Sequence, residues 1–269
     1  DASPARLALR DVHVRGRRAP LLHLDALSLA TGECVLVAGE PGQGHTALAL
    51  VATGRLAPFT GVVELTRADG TTTSDPAVLR GLSAVVDLPG VTEPDDTLTT
   101  STVVGEELAL AGAAARPSRV RRWLEAHELT SYRDVRMDDL PGPVRTALLT
   151  SLAIERRGVR FLVVSLPDRH GGEPAAWWAV AQACAARGYG VLVQCSRSSA
   201  RELGAELAPA RGTTGRATPV ESLRTGTDRL VAAPDEPAAG EPRSRTDTDT
   251  DSDTLSVDRD ERPAPGGTP

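Results

Sequence analysis

The segment Gly32–Gly54, GECVLVAGEPGQGHTALALVATG, constrains the chain more than any other. Val35–Ala38 is apolar at successive positions, the pattern of a short strand covered on both faces. It runs straight into Gly39-Glu-Pro-Gly42-Gln-Gly44. Glycine reaches backbone angles closed to other residues, so this run can turn sharply. A helix over Thr46–Thr53 follows and stops at Gly54. The alternation continues downstream. Val62–Leu65, Ser83–Val86, Phe161–Ser165 and Val191–Cys195 read as strands; Arg119–Leu129, Arg145–Arg157, Ala175–Arg187 and Ser199–Leu207 read as helices. Strands apolar on both faces and separated by helices predict an α/β fold with a largely parallel sheet.

This pattern covers residues 5–207. Beyond about residue 208, Pro, Gly, Thr, Arg and Asp dominate, and apolar periodicity fades except near Leu230–Ala233. Thr246–Thr254 reads TDTDTDSDT, and it lacks the glycine that a calcium loop needs for its sharp turn. Residues 208–269 therefore read as a low-complexity, disordered acidic tail. Pro234–Arg262 holds ten acids and four arginines, which matches the −6 of the whole chain. The remainder is near neutral, which argues against nucleic-acid binding. All 30 basic residues are arginine, so lysine chemistry is excluded, from Schiff bases to a phosphate-binding lysine. Cys34, Cys184 and Cys195 lie far apart and in odd number, which fits a reducing, cytoplasmic setting.

Gly39-Glu-Pro-Gly42-Gln43-Gly44-His45-Thr46 has the spacing of a phosphate-binding P-loop, with His45 where lysine belongs. The glycines let backbone N–H groups approach an anion, and the helix amino terminus favours negative charge. Thr46 stands where a hydroxyl would hold Mg²⁺. An ordinary imidazole titrates near about pH 6.5, so acid would partly restore the missing cation.

Further segments extend the likeness. Leu24–Leu65, Ser101–Ala113 (STVVGEELALAGA), Leu140–Asp168 (LPGPVRTALLTSLAIERRGVRFLVVSLPD) and Gly188–Arg197 (GYGVLVQCSR) follow in the order and spacing of an ABC-transporter ATPase subunit. The chain resembles that family across about residues 5–207. The resemblance implies a P-loop NTPase core, an antiparallel β edge from residues 5–30 and 58–70, and a small helical subdomain at about 88–150. It implies a nucleotide site at Gly39, Gly42, Gln43, Gly44, His45, Thr46 and Ala47, with Thr46 as a weak metal ligand.

The sequence departs from the family where chemistry is expected. His45 replaces the P-loop lysine. Ser165 replaces the carboxylate ending the Mg²⁺-site strand, and Leu166 replaces the general base. Ser196 replaces the switch histidine. Asp87 stands for a water- and Mg²⁺-binding glutamine; it can hold a cation but repels phosphate. In the signature segment around Gly142, Pro141 replaces a serine and Pro143 a glycine, which changes both the donors and the permitted backbone angles. The adenine-stacking aromatic expected near Val14–Gly16 is missing. Leucine accepts no proton, and phosphoryl transfer rests almost wholly on positioning and electrostatics.

The reading is a catalytically degenerate nucleotide-binding subunit, a pseudoenzyme binding ATP with Mg²⁺ weakly and requiring neither. Its implied partners are a membrane permease and a second copy or an intact ABC ATPase, at the inner face of the membrane. The alternatives are a structural or regulatory adaptor without nucleotide, and an unorthodox NTPase using His45, Asp87 or Asp168. His170 reads as a loop residue, with pairing to His45 the less favoured option. Asp138 and Asp139 read as flanking a helix. Of Trp177 and Trp178, one is expected in the core and one exposed.

Overall fold

The computed structural model describes residues 3–17 and 20–207, and the backbone of 221–226 and 229–232. In chain order the strands are β1 (Arg6–Arg15), β2 (Pro20–Ala30), β3 (Cys34–Ala38), β4 (Thr60–Thr66), β5 (Thr72–Thr73), β6 (Ser83–Val86), β7 (Phe161–Ser165), β8 (Gly190–Cys195), β9 (Glu221–Gly226) and β10 (Arg229–Ala232). The helices are α1 (His45–Ala52), α2 (Pro76–Leu82), α3 (Thr100–Leu110), α4 (Pro117–Ala126), α5 (Gly142–Ile154), α6 (Pro174–Ala186) and α7 (Arg197–Glu202). Short 3₁₀ turns cover Met137–Asp139 and Pro167–His170.

Two sheets form. The first is antiparallel, in the order β2-β1-β4-β5. The second runs β10-β9-β3-β8-β7-β6, and β3, β8, β7 and β6 are mutually parallel. The expected parallel neighbours and the antiparallel edge are both present. The central strands are buried at every position, so alternate residues feed two cores. Cys34, Leu36 and Ala38 face a core shared with α3 to α6. Val35 and Val37 face a second core, where α1 and α2 meet the antiparallel sheet. Helix starts follow local chemistry: Asp75 caps α2 ahead of Pro76, and the Thr99 and Ser196 side chains cap α3 and α7.

One expectation needs correction. Trp177 and Trp178 are both buried, because α6 is enclosed by β8 on one side and by α5 and α7 on others. Two described strands also lie beyond residue 208. Within the segment read as irregular, β9 pairs antiparallel with β3 and β10 pairs with β9. Edge pairing uses main-chain groups, so a polar sequence such as ESLRTG can supply it without an apolar run. Residues 234–269, including the Thr246–Thr254 run, lie outside the described residues.

Candidate functional site

Parallel strands deliver their carboxyl ends to one edge. There Gly39 follows β3, Asp87 follows β6, Leu166 follows β7 and Ser196 follows β8. Four sequence-distant positions therefore open on one rim, where α/β sheets ordinarily bind ligands.

Gly39–Gly44 makes the turn expected of it. Gly39 N–H donates to Cys195 O at 3.1 Å, and Gln43 Oε1 accepts from Glu40 N–H at 2.7 Å. Gly42 and Gly44 have φ of 86° and 96°, the left-handed region that glycine tolerates. A side chain on Gly44 would strike the Leu21 carbonyl. No side chain caps α1, so its first amides keep donors for an anion. Thr46 is exposed, while Ala47 is buried. His45 is only 5% exposed. Its ring folds back against Gly39, where a Cβ would lie 3.0 Å from both Cε1 and Nε2. Nε2 is buried without a hydrogen-bond partner. Burial pushes the His45 pKa below the ordinary histidine range, against smaller upward pulls from the Cys195 backbone, Asp168 and Glu40. The ordinary titration expected from sequence is thus moved to more acidic pH.

Ser165 does not face an empty metal position. Its hydroxyl donates to Gln194 Oε1 at 3.0 Å, and Gln194 Nε2 donates to His45 O at 2.8 Å. Ser165 and Gln194 are register partners on β7 and β8, and both are fully buried. This chain of bonds ties two strands to the first residue of α1. Leu166 follows with φ 46° and ψ 54°, a left-handed conformation costly for leucine. Asp168 Oδ2 accepts from Ser196 N–H and from Ser199 Oγ, each at 2.8 Å. Ser196 itself caps α7.

Asp87 is the most heavily partnered group. Arg145, on the first turn of α5, donates from Nε and an Nη to its two oxygens at 3.0 and 3.1 Å. Arg169 approaches Oδ1 at 2.9 Å and donates to the Asp87 carbonyl at 2.9 Å. His170 Nε2 stands 3.0 Å from Oδ2, off the line of a good hydrogen bond. Burial alone would raise the Asp87 pKa; His170, Arg145 and Arg169 outweigh it and hold it at about 2. Arg145 also reaches Asp96 at 2.7 Å and the Met137 carbonyl at 3.0 Å, and Arg169 reaches Glu93 at 2.9 Å. His170 therefore goes to Asp87 as its partner.

Asp87, Glu93 and His170 place ligand atoms within 4.8 Å of one another. Guanidinium groups already fill the cation's role there, since Arg169 bridges both carboxylates. With Ser165 committed to Gln194, the rim keeps only the exposed Thr46 hydroxyl for Mg²⁺. These residues do not fit the metal that the fold implies.

Pro141 is exposed and leads into α5. Gly142 packs against the carbonyls of His170 and Gly171, where any side chain would collide. Asp138 and Asp139 lie in the 3₁₀ turn before α5, and Asp138 pairs with Arg136 at 3.2 Å. Sequence reading missed Gln194, Arg145, Arg169, Glu93 and Asp96. A signal existed for Gln194, the one polar residue in the buried run VLVQC. A buried arginine such as Arg145 carries no comparable mark.

No family model matches the chain, and no curated protein matches it in sequence. Solved structures do match. A dimeric bacterial ABC transporter cassette superposes with a TM-score of 0.55 at 18% identity, covering 73% of this chain and 90% of that one. A nucleotide-free ATP-binding cassette from an ABC transporter gives 0.53 at 16% identity, covering 72% and 82%. A bacterial Atm1-family ABC exporter with ATP bound gives 0.53 at 15% identity; the match covers 74% of this chain and 36% of the exporter chain. The chain has the fold of an ABC-transporter ATP-binding cassette. At these identities the likeness is one of fold. No helix among the described residues is long and apolar enough to cross a membrane.

Proposed function

We propose that this chain is a catalytically degenerate nucleotide-binding-type component of an ABC transport assembly. It keeps a phosphate cradle and does not hydrolyse. The carrying observation is the divided fate of the rim. The Gly39–Thr46 turn retains an uncapped helix amino terminus. Asp87, Ser165 and Asp168 are all committed to internal partners. Leu166 offers no base. Backbone donors supply what anion binding remains, and neutral His45 adds no charge at pH 7.

The fold likeness to a dimeric cassette and to an exporter supports a second copy or an intact ATPase as partner, with a permease beneath. In a heterodimer one composite site would join this chain's cradle to the partner's signature segment. The other would present Pro141–Pro143 to the partner's cradle. Such an assembly would lie at the cytoplasmic face of a membrane.

Calorimetric titration of pyrophosphate and ATP into the wild type and His45→Lys, with phosphate release followed in parallel, tests this. Weak binding that tightens in His45→Lys, with no turnover in either protein, is expected. Turnover of roughly 1 s⁻¹ or more, in the range common for enzymes and lost in His45→Ala, would overturn it in favour of an unorthodox NTPase. A second reading has its own observation: the imidazole lies against Gly39, inside the turn. If His45→Lys also binds nothing, the chain is an adaptor that has filled its own cradle.

A further inference from the structure

The Asp87 cluster lies outside any catalytic need of a chain without a base, yet it is the most elaborate polar feature among the described residues. Its members come from four places: Asp87 at the end of β6, Glu93 and Asp96 in the loop 88–99, Arg145 on the first turn of α5, and Arg169 with His170 in the turn after β7. Asp87 and Arg145 are buried, whereas Arg169 and His170 keep side-chain exposures of 22% and 18%. The loop 88–99 is in turn fastened to the segment before α5. Met137 N–H donates to Leu98 O at 2.9 Å, and Asp138 N–H to Asp96 O at 3.2 Å. Asp87 has φ 56°, a strained angle that persists where surroundings over-determine it.

We propose that Asp87 is an ionic latch: one buried carboxylate that fastens the loop 88–99, the start of α5 and the turn 167–170 to one another, so that the three open and close as a single unit. The carboxylate takes two hydrogen bonds from Arg145 and an ion pair from Arg169. Removing its charge strands Arg145 in a buried position and loosens every arm at once. The sheet needs none of these contacts, since its strands are held by main-chain ladders and two apolar cores. The partly exposed arm is Arg169, where an acidic group from outside would compete with Asp87 and Glu93. The latch is independent of whether the cradle binds a ligand.

Native-state hydrogen exchange on the intact chain tests it. In Asp87→Asn, exchange in residues 88–99, 137–146 and 166–171 is expected to accelerate together by about tenfold or more, while β3 and β8 hold their protection. In Arg169→Gln the carboxylate keeps Arg145 and loses one fastening, so the same three segments are expected to accelerate together by a smaller factor than in Asp87→Asn, with β3 and β8 again protected. Acceleration confined to one segment in Asp87→Asn, or spread equally into β3 and β8, overturns the latch. Should Asp87→Asn fail to fold, Arg169→Gln decides alone: unchanged exchange in the three segments, or acceleration confined to one of them, refutes the proposal.

Discussion

Replacing Gln194 with leucine tests whether Ser165 has become a structural group. Gln194 is fully buried, accepts from Ser165 Oγ at 3.0 Å and donates to His45 O at 2.8 Å. Leucine has a similar volume, so no large cavity opens and the loss is polar. The Ser165 hydroxyl is left without an acceptor, a penalty of about 1–3 kcal/mol. The His45 carbonyl loses less, because as the first residue of α1 it keeps its helical N–H partner. Gln194→Leu is therefore expected to cost about 2 kcal/mol. Adding Ser165→Ala removes the stranded hydroxyl, and replacing both partners by apolar groups is nearly neutral. The double variant should lie within about 1 kcal/mol of wild type, a coupling of about 1–2 kcal/mol. Urea unfolding followed by two probes measures it. If the double variant loses the sum of the singles, the bond is incidental and Ser165 remains open to another role. The same geometry predicts that Ser165→Asp, which installs the carboxylate that the resemblance expects there, destabilises by roughly 3–5 kcal/mol. The new charge would face Gln194 Oε1, and flipping the amide would set that oxygen against the His45 carbonyl.

The other expectations concern charge and strain. Asp87 has a pKa of about 2 against an ordinary 3.8, so the unfolded chain takes up its proton first as pH falls. It contributes about 2 kcal/mol above pH ~4 that is lost toward pH ~2, and Asp87→Asn should remove that slope from an acid-unfolding series. His45 is also lowered, which puts its acid loss in a separate window. Stability should decline once pH falls below about 6.5, where the unfolded imidazole charges and the folded one does not, and His45→Gln should flatten that decline in thermal melts at graded pH. Leu166 occupies φ 46°, and asparagine tolerates that region better. Leu166→Asn should therefore gain about 0.5–1 kcal/mol in denaturant unfolding, and a loss would mean that the leucine's packing outweighs its backbone strain.

Much of the fold was legible because its signals are local. Val35–Ala38 turns into a helix through glycines at 39, 42 and 44, and that turn forms as read. The apolar runs at Phe161 and Val191 become neighbouring parallel strands because both faces must be covered. Illegible features depended on distance in sequence. Glu221–Gly226 carries no strand pattern and is recruited by the open edge of β3 through main-chain bonds. Trp178 reads as half of an amphipathic pair, but its burial is decided by what lies around α6. In the site, identities such as Ser165 and Leu166 could be read directly, since a residue type sets its chemistry. Partners could not. Asp87 finds Arg145 58 positions away and Arg169 82 positions away.

That difference between identity and partnership bears on how the rim arose. Buried polar groups are almost always bonded, and a ligand site is where such bonds are left for the ligand to complete. Here Ser165, Asp87 and Asp168 are completed by Gln194, Arg145 with Arg169, and Ser199 with the Ser196 amide. The rim is thus largely self-satisfied without metal or nucleotide. Substitutions toward the residues that the resemblance expects should meet these partners as obstacles: a carboxylate at 165 meets an amide oxygen, and a glutamine at 87 abandons a buried arginine. Under the proposed function, installing hydrolysis would then require Gln194 and Arg145 to change with those positions. The helical end of the Gly39–Thr46 turn is the exception: the Gly39, Glu40 and Gln43 amides are bonded internally, but no side chain caps the first amides of α1. A lysine at 45 is consequently the reversion with the fewest internal partners to displace.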